Sequence, residues 1–328
     1  MEIGKMMCRS ILMGTVLLSM VFLAACNNDK INVYTIGVIN DVPVLDNALA
    51  GFKEGMAGLG YIEGKNIRYV YNGATTDMDK LPAAAHALLA AKPDLIFSIT
   101  TPATLAVKQA ATGTGLPQVF TIVTDPVGAG IVDSLQNPGG NITGVCFGIQ
   151  EARRLEWLIK IAPGIRKIYV PFNPNDKSPV LALKIVNNAA TRLGIELITR
   201  EVADPETLND AVLNIPAQAD AVFLLPDSLM ATRLPDMAAT ANKHKLPTSV
   251  SNITTVETYG VLTAFGFDQH LSGKQASRQA DQIFKGARPA DLPVETAEFF
   301  LAINLKTAKA IGLDIPEDIL YQARFIVR

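Results

Sequence analysis

Between residues 34 and 267 the chain passes through one order of segments and then repeats it at an offset of roughly 130 residues, and no other feature narrows the possible folds as far. YTIGVI (34–39) is apolar and β-rich, and DNALAGFKEGMAGLG (46–60) has helical spacing closed by glycine. NIRYVYN (66–72), DLIFSI (94–99) and PQVFTIV (117–123) follow as strands, separated by helical LPAAAHALLAAKP (81–93) and TPATLAVKQAAT (101–112). The second pass gives strand KIYVPFN (167–173), helix VLALKIVNNAATRLG (180–194), then strands IELITREV (195–202), ADAVFLLP (219–226) and LPTSVSN (246–252). Landmarks keep register between the passes. Ile36 answers to Ile168, Leu59-Gly60 to Leu193-Gly194, Asp94 to Asp220, Leu116-Pro117 to Leu246-Pro247, and Gly130-Ile131-Val132 to Gly260-Val261-Leu262. Alternating strands and helices build parallel sheets covered by helices, an α/β architecture. The period is too long for a solenoid, so the repeat predicts two lobes of one topology facing each other.

Ligands of open α/β sheets bind beyond the carboxyl ends of the strands. Two lobes with those ends apposed form a cleft, and the residues that follow each strand become the candidate ligand contacts. In the first pass these are Asn40, Asp41, Thr100, Thr101, Thr124 and Asp125; in the second they are Asn173, Asp227, Ser251 and Asn252, and strand VLTAFGF (261–267) ends at Asp268. Thr101 is placed to cap the helix that follows, with Pro102 at its first position, and the exposed amides there suit a carboxylate or other anion. Asp125 either holds a ligand ammonium or hydroxyl or closes an Asx-turn before Pro126. Phe147, near the predicted crossover, and Phe172, at a strand end, are aromatic candidates for stacking, against the plainer role of core packing.

The N-terminus has a separate logic. Lys5 and Arg9 precede an uncharged apolar run from Ile11 to Ala25, which is followed by Cys26 and polar Asn27, Asn28, Asp29 and Lys30. A basic start, a short apolar stretch and small residues at the junction describe a secretory signal peptide over 1–25, the run being shorter than the roughly 20 residues that span a bilayer. Leu-Ala-Ala-Cys at 23–26 resembles a bacterial lipobox, which predicts lipidation of Cys26 and a tethered linker over 26–32. Cleavage there leaves 303 residues with 27 basic and 30 acidic side chains, and Cys146 as the only free thiol. That balance and the lack of any basic run argue against a nucleic-acid partner, and an intramolecular disulfide is ruled out.

KPDLI (92–96), TPA (101–103) and above all VTDPVGAGIVDSLQNPGGNITGV (123–145) resemble the ABC-transporter substrate-binding family that includes tryptophan- and tyrosine-binding lipoproteins. GLGYIEGKNI (58–67), FNPND (172–176), KQA (274–276) and LPVETAEFFLAINLKTAKAIGLDIP (292–316) extend the resemblance from about residue 33 to the C-terminus. It implies a type I periplasmic-binding fold: two Rossmann-like lobes with parallel sheets, joined by a three-strand hinge, that close around a small solute. The expected lobes are 33–145 with about 266–292, and 146–265 with about 293–328. It further implies a monomeric, extracytoplasmic, lipid-anchored receptor that serves an ABC permease, uses no cofactor, and takes an amino acid, aromatic by precedent. Two departures bear on the ligand. Where typical members carry Ser-Asp this chain has Cys146-Phe147, and where they carry Ser-Asp-Thr it has Ser251-Asn252-Ile253. An α-ammonium needs a carboxylate nearby, which leaves Asp125, Asp227 and Asp268 as its expected partners.

Other readings have less behind them. The same two-lobed body serves as the ligand-binding partner of a membrane sensor, which the sequence alone does not separate from an importer. An extracytoplasmic hydrolase using Asp125 and Asp227 as acid and base is the remote alternative, since no nucleophile–base pair stands out. His86, His244 and His270 are scattered, with no spacing that suggests a metal site. GAGIVD (128–133) lacks the third glycine of a dinucleotide loop. Trp157 lies on the apolar spacing of a helix, and Cys146 is expected to be a buried, inert thiol.

Overall fold

The computed structural model describes residues 33–148 and 150–328; the predicted signal segment, Cys26 and the linker lie outside the described residues. Tyr34–Arg328 forms one compact unit built on two sheets. The first sheet is assembled from β1 (Tyr34–Asn40), β2 (Ile67–Val70), β3 (Leu95–Ile99), β4 (Gln118–Val123), β5 (Ile142–Cys146) and β11 (Glu295–Thr296), in the order β11-β5-β4-β3-β1-β2. All its pairings are parallel. The second holds β6 (Lys167–Phe172), β7 (Glu196–Glu201), β8 (Ala221–Phe223), β9 (Thr248–Asn252), β10 (Thr263–Phe267), β12 (Phe300–Asn304) and β13 (Phe325–Val327). Its order is β13-β12-β10-β9-β8-β6-β7, parallel except where β12 runs against β10.

The repeat in the sequence is a repeat in space. The order β5-β4-β3-β1-β2 in one sheet is matched by β10-β9-β8-β6-β7 in the other. Even a connecting device recurs: Asp94 accepts the Thr35 amide at 2.7 Å, and its counterpart Asp220 accepts the Arg166 and Lys167 amides at 2.9 and 2.8 Å. In each lobe an aspartate just before one central strand pins the start of its neighbour. The central strands are buried on both faces, as their unbroken apolar runs require of a parallel sheet covered on both sides.

The chain crosses between lobes three times. It leaves the first sheet after β5 for helix Glu151–Ile161, returns after β10 through helix Gln269–Phe284, and passes from β11 to β12 between Thr296 and Phe300. The returning helix is held by close backbone contact with helix Asn47–Gly58. A Cβ added at Gly51 would lie 1.9 Å from the His270 carbonyl oxygen, and one at Gly273 would lie 1.9 Å from that of Ala48. Glu54 closes the same contact from the surface, bonded to His270 and Lys274 at 2.8 and 2.7 Å.

Candidate functional site

In both sheets the strand order reverses beside β1 or β6, which puts a topological switch point in each lobe, the usual place for a ligand in such folds. The two switch points face one another. Between them lies a cleft with about 700 Å³ of space free of protein atoms counted out to its mouth, of which about 90 Å³ admits the centre of a water molecule.

Its first wall is made by the turns after β3 and β4. Thr100, Thr101, Ile122 and Thr124 line the cavity. Two of these hold backbone conformations that cost about 1–3 kcal/mol outside glycine: Thr100 at φ 91° and Ile122 at φ 56°. Ile122 is the extra residue where the β4–β5 register shifts between Thr121 and Val123, and a bulge of that kind re-aims a side chain beside a site. The helix cap falls one residue earlier than the sequence suggested. Thr100 is the cap, accepting the Ala103 amide at 3.4 Å, while Thr101 begins helix Thr101–Ala110. The unusual φ of Thr100 brings its hydroxyl over that first turn, where it also donates to Asp41.

The opposite wall comes from the turns after β6, β8 and β9. Ser178, Asp227, Ser228, Ser251 and Asn252 line it. Asp227 caps helix Ser228–Ala231 through the Met230 amide at 3.0 Å and accepts the Asn173 amide at 2.6 Å. Asp176 caps helix Lys177–Leu193, accepting the Ser178 amide at 2.8 Å. At the hinge Phe147 and Phe267 stack with centroids 4.6 Å apart and both line the cavity. The lobes touch across the cleft through the Thr124 and Ser178 hydroxyls and through Lys177 Nζ, which donates to the Ala129 carbonyl at 2.9 Å.

Of the twelve ligand contacts expected from sequence, Thr100, Thr101, Thr124, Phe147, Asp227, Ser251 and Asn252 line this cavity. Asp41 lies directly behind it, fully buried, tied to Thr100. The other four are engaged elsewhere. Asn40 folds onto its own turn, bonded to Val42 and Asp46. Asn173 accepts the Asn175 amide at 2.9 Å. Asp125 takes the Asx-turn role, accepting the Gly128 amide at 2.8 Å, and Asp268 caps helix Gln269–Phe284 through the Leu271 amide at 3.0 Å. Ser228, which follows Asp227 among the polar residues after its strand, also lines the cavity, whereas Asp176, Ser178 and Phe267 were not expected. Asp176 had a signal, an aspartate followed by a helical pattern. Phe267 had one too, as the residue that ends β10 much as Phe147 follows β5.

The electrostatics centre on three carboxyls. Burial raises Asp41 to about 6, with Thr100 and Ser228 hydrogen bonds opposing and the Asp227 charge adding. Burial raises Asp176 to about 8, reinforced by Asp227 and Asp41. Asp227 is raised to about 6 by burial, against the pull of the Met230, Asn173 and Leu229 amides. Among the described residues no lysine, arginine or histidine lines the cavity, and Asp41 Oδ2 is buried with no hydrogen-bond partner among them. Among the described residues no group of His, Cys, Asp or Glu is arranged to hold a metal ion.

The model of the ABC transporter substrate-binding protein family matches residues 30–327. The chain belongs to that family. Substrate-binding proteins of this kind bind small solutes and work with ABC permeases. A tyrosine-binding protein from Clostridioides difficile is 29% identical over 272 residues, covering 83% of this chain and 78% of that one. An ABC domain from Streptococcus pneumoniae solved in complex with L-Trp superposes with a TM-score of 0.84 at 27% identity, over 90% of this chain and all of that one. A ligand-free, open structure of a substrate-binding protein from Clostridium difficile covers the same 90% of this chain and 99% of its own at 26% identity, yet reaches only 0.65. At nearly equal identity and equal coverage, the chain superposes better on the L-Trp complex than on the open structure. No described helix is long and apolar enough to cross a membrane.

Proposed function

We propose that this protein is a lipid-anchored, extracytoplasmic receptor of an ABC importer. It closes its two lobes on a small solute that carries a protonated nitrogen on an apolar body. The observation that carries this reading is the cavity itself: Asp227 lines it, Asp41 and Asp176 are buried behind it, and among the described residues no cationic side chain is in its lining. Burying like charges without a counter-charge is costly, and a cationic solute would supply that charge at the moment of closure. The tyrosine- and L-Trp-binding relatives make aromatic amino acids the leading class. The Phe147–Phe267 pair, seated where two of the crossing strands leave their sheets, would couple contact with the solute to the hinge.

In this reading Thr101, Thr124, Phe147, Asp227, Ser251 and Asn252 contact the solute, with Asp41 and Asp176 setting the field behind them. Binding favours the closed form because only that form brings both walls to the ligand. Closed receptor then docks on the permease as a monomer and performs no chemistry of its own. Cys26 would hold it there; a diacylglycerol thioether supplies two acyl chains, and stable anchoring takes more than one.

The test is native mass spectrometry on the full chain purified gently in detergent from the expressing cell, followed by small-angle scattering. A discrete adduct lost on partial unfolding, and a smaller radius of gyration when that solute is returned to stripped protein, are expected. Scattering profiles that do not change with any bound solute would remove the receptor mechanism.

A further inference from the structure

The polar groups of the cleft are unequally supplied for the two ends of an amino acid. A ligand ammonium finds Asp227 in the lining, and Asp41 and Asp176 one hydrogen bond behind it through Thr100, Ser178 and Ser228. A ligand carboxylate finds no cation. Two lysines outside the lining are engaged with backbone: Lys177 Nζ is bonded to the Ala129 carbonyl, and Lys108 Nζ to the Gly130 and Ile131 carbonyls at 2.7 and 3.0 Å.

Helix N-termini are the usual substitute for a cation, and here they are already taken by carboxyls. Asp176 caps helix Lys177–Leu193, Asp227 caps the short helix Ser228–Ala231, and Asp41 accepts from the Thr100 hydroxyl that caps helix Thr101–Ala110. At pH 7.5 a carboxylate placed beside Asp227 or Asp41 would meet a like charge in a desolvated site, and one beside Asp176 would meet an acid whose ionisation burial already disfavours. Of the lining hydroxyls, Thr100 donates to Asp41, Thr124 and Ser178 bond each other, and Thr255 donates to the Asn252 carbonyl at 2.7 Å. Those of Thr101, Ser228 and Ser251 and the Asn252 amide are neutral donors that bring no counter-charge to a carboxylate. Asp41 Oδ2 is buried behind the lining without a close hydrogen bond among the described residues, and the Ser228 hydroxyl acts on the same carboxyl. The rest of the lining, from Val42, Leu45 and Ile122 to Leu224, Met230 and Val250, is apolar.

We infer that the cleft of this protein selects an amine without a carboxylate, a protonated nitrogen on an apolar or aromatic body, over the amino acid of the same side chain. The inference rests on the receptor reading above and narrows its solute class. It separates this chain from relatives named for tyrosine and L-Trp by the chemistry of one end of the ligand.

Matched pairs test it, because each pair differs by the carboxylate alone. Full-length protein in detergent is titrated calorimetrically at pH 7.5 with phenethylamine and L-phenylalanine, tyramine and L-tyrosine, tryptamine and L-tryptophan, and isoamylamine and L-leucine. At least one amine is expected to bind about 100-fold or more tightly than its amino acid, the scale that like-charge juxtaposition sets. Asp227→Asn should erase that preference along with the affinity. Asp125→Asn, a change on the surface turn, should leave both unchanged. Equal or tighter binding of the amino acids overturns the inference, as does the failure of every amine. Either result leaves the receptor reading standing if scattering still shows the lobes closing on another solute, and only the absence of any closure would end both.

Discussion

The protein buries charge in two places and treats it in opposite ways. Under the second sheet, at the start of helix Glu151–Ile161, Glu151 and Arg154 are 2% and 1% exposed and lie 3.6 Å apart. Arg154 also donates to the Ser249 carbonyl at 2.9 Å and sits 3.7 Å from the centroid of the Phe223 ring. That cluster carries its own counter-charge. In the cleft, Asp41, Asp176 and Asp227 are as deeply buried and have none. The contrast lies in charge and not in hydrogen bonding, since Glu151 Oε2 and Arg154 Nε and Nη2 also lack hydrogen-bond partners among the described residues: one set carries both signs within the chain, and the other carries one sign only.

Removing one member of the completed pair should give the largest effect. Arg154→Ala strands Glu151 without its cation and takes away the bond to Ser249, and breaking a buried pair in this way costs about 3–5 kcal/mol. Urea denaturation should show the midpoint falling accordingly. The double replacement Glu151→Leu/Arg154→Met should recover much of the loss, since no uncompensated charge remains. A single variant as stable as the parent would show that the pair is not the closed unit described here.

In the cleft the largest effect should fall on binding. Asp227→Asn keeps the size of the side chain and an acceptor for the Met230 amide, but removes the lining carboxylate. A hydrogen-bonded charge contact of this kind is worth about 2–3 kcal/mol, so affinity for a cationic solute should fall by about 30- to 150-fold. The Asn173 amide loses its acceptor in the same change, so the ligand-free midpoint should fall by the equivalent of about 1–3 kcal/mol. Unchanged affinity for the cationic solute beside that loss would make Asp227 a structural acid like Glu151.

How much of this contrast was legible in the sequence depends on the distance over which the signal acts. The two sheets and their common topology were, because continuous apolar runs and a register of landmarks such as Asp94 and Asp220 are local facts repeated in order. Helix Gln269–Phe284 was not, and the reason is physical: its buried face is built from Gly273, Ala276, Ala280 and serine, small residues that permit the close crossing with Gly51 but carry little apolar signal. The cleft acids were half legible. Strand ends pointed to Asp41 and Asp227, yet also to Asp125 and Asp268, which cap and close their own turns. Choosing among them requires knowing that Asp41 meets Thr100 and Ser228, contacts made by residues 59 and 187 positions away.

Titration should sharpen the comparison next. The cleft acids hold protons in the folded state at a pH where an unfolded aspartate, near 3.8, has lost them. Below about pH 4 folded and unfolded chains are both protonated here, and the groups contribute nothing. From about pH 4, where the unfolded aspartates ionise, the folded state holds the extra protons until Asp41 and Asp227 ionise at about 6 and Asp176 at about 8. Ligand-free stability should therefore fall over this range, by about 1–2 kcal/mol between pH 5 and pH 8 after relaxation and water entry, and level off above it. Glu151 is raised by burial too and pulls the same way. The surface acids lowered by their partners, such as Glu54 and Asp210, act near and below pH 4, outside this window. A bound amine should flatten the slope by favouring the ionised acids. Thermal melts across this range, with and without tyramine, would read both; a ligand-free protein more stable at pH 8 than at pH 5 would contradict the uncompensated cluster.

The smallest effect discriminates best, because the same chemical change should have opposite signs in the two clusters. Asp176→Asn leaves an oxygen to accept the Ser178 amide, and asparagine caps helices about as well as aspartate. It removes the acid that burial and its two neighbours disfavour most, and its amide can donate toward Asp227 or Asp41. Ligand-free stability should therefore rise by about 1 kcal/mol at pH 8, and the gain should shrink sharply by pH 5, close to the 3.8 at which the unfolded aspartate is itself protonated. Glu151→Gln removes a carboxylate at the same depth but takes the partner from Arg154, so it should destabilise at pH 8 and do so at pH 5 as well, where the arginine is still charged. Chemical denaturation of the two variants at the two pH values gives four numbers. A gain that appears only for Asp176→Asn and mainly at high pH is the signature of a carboxylate kept in place for a ligand; two losses would mean that both clusters serve the fold alone.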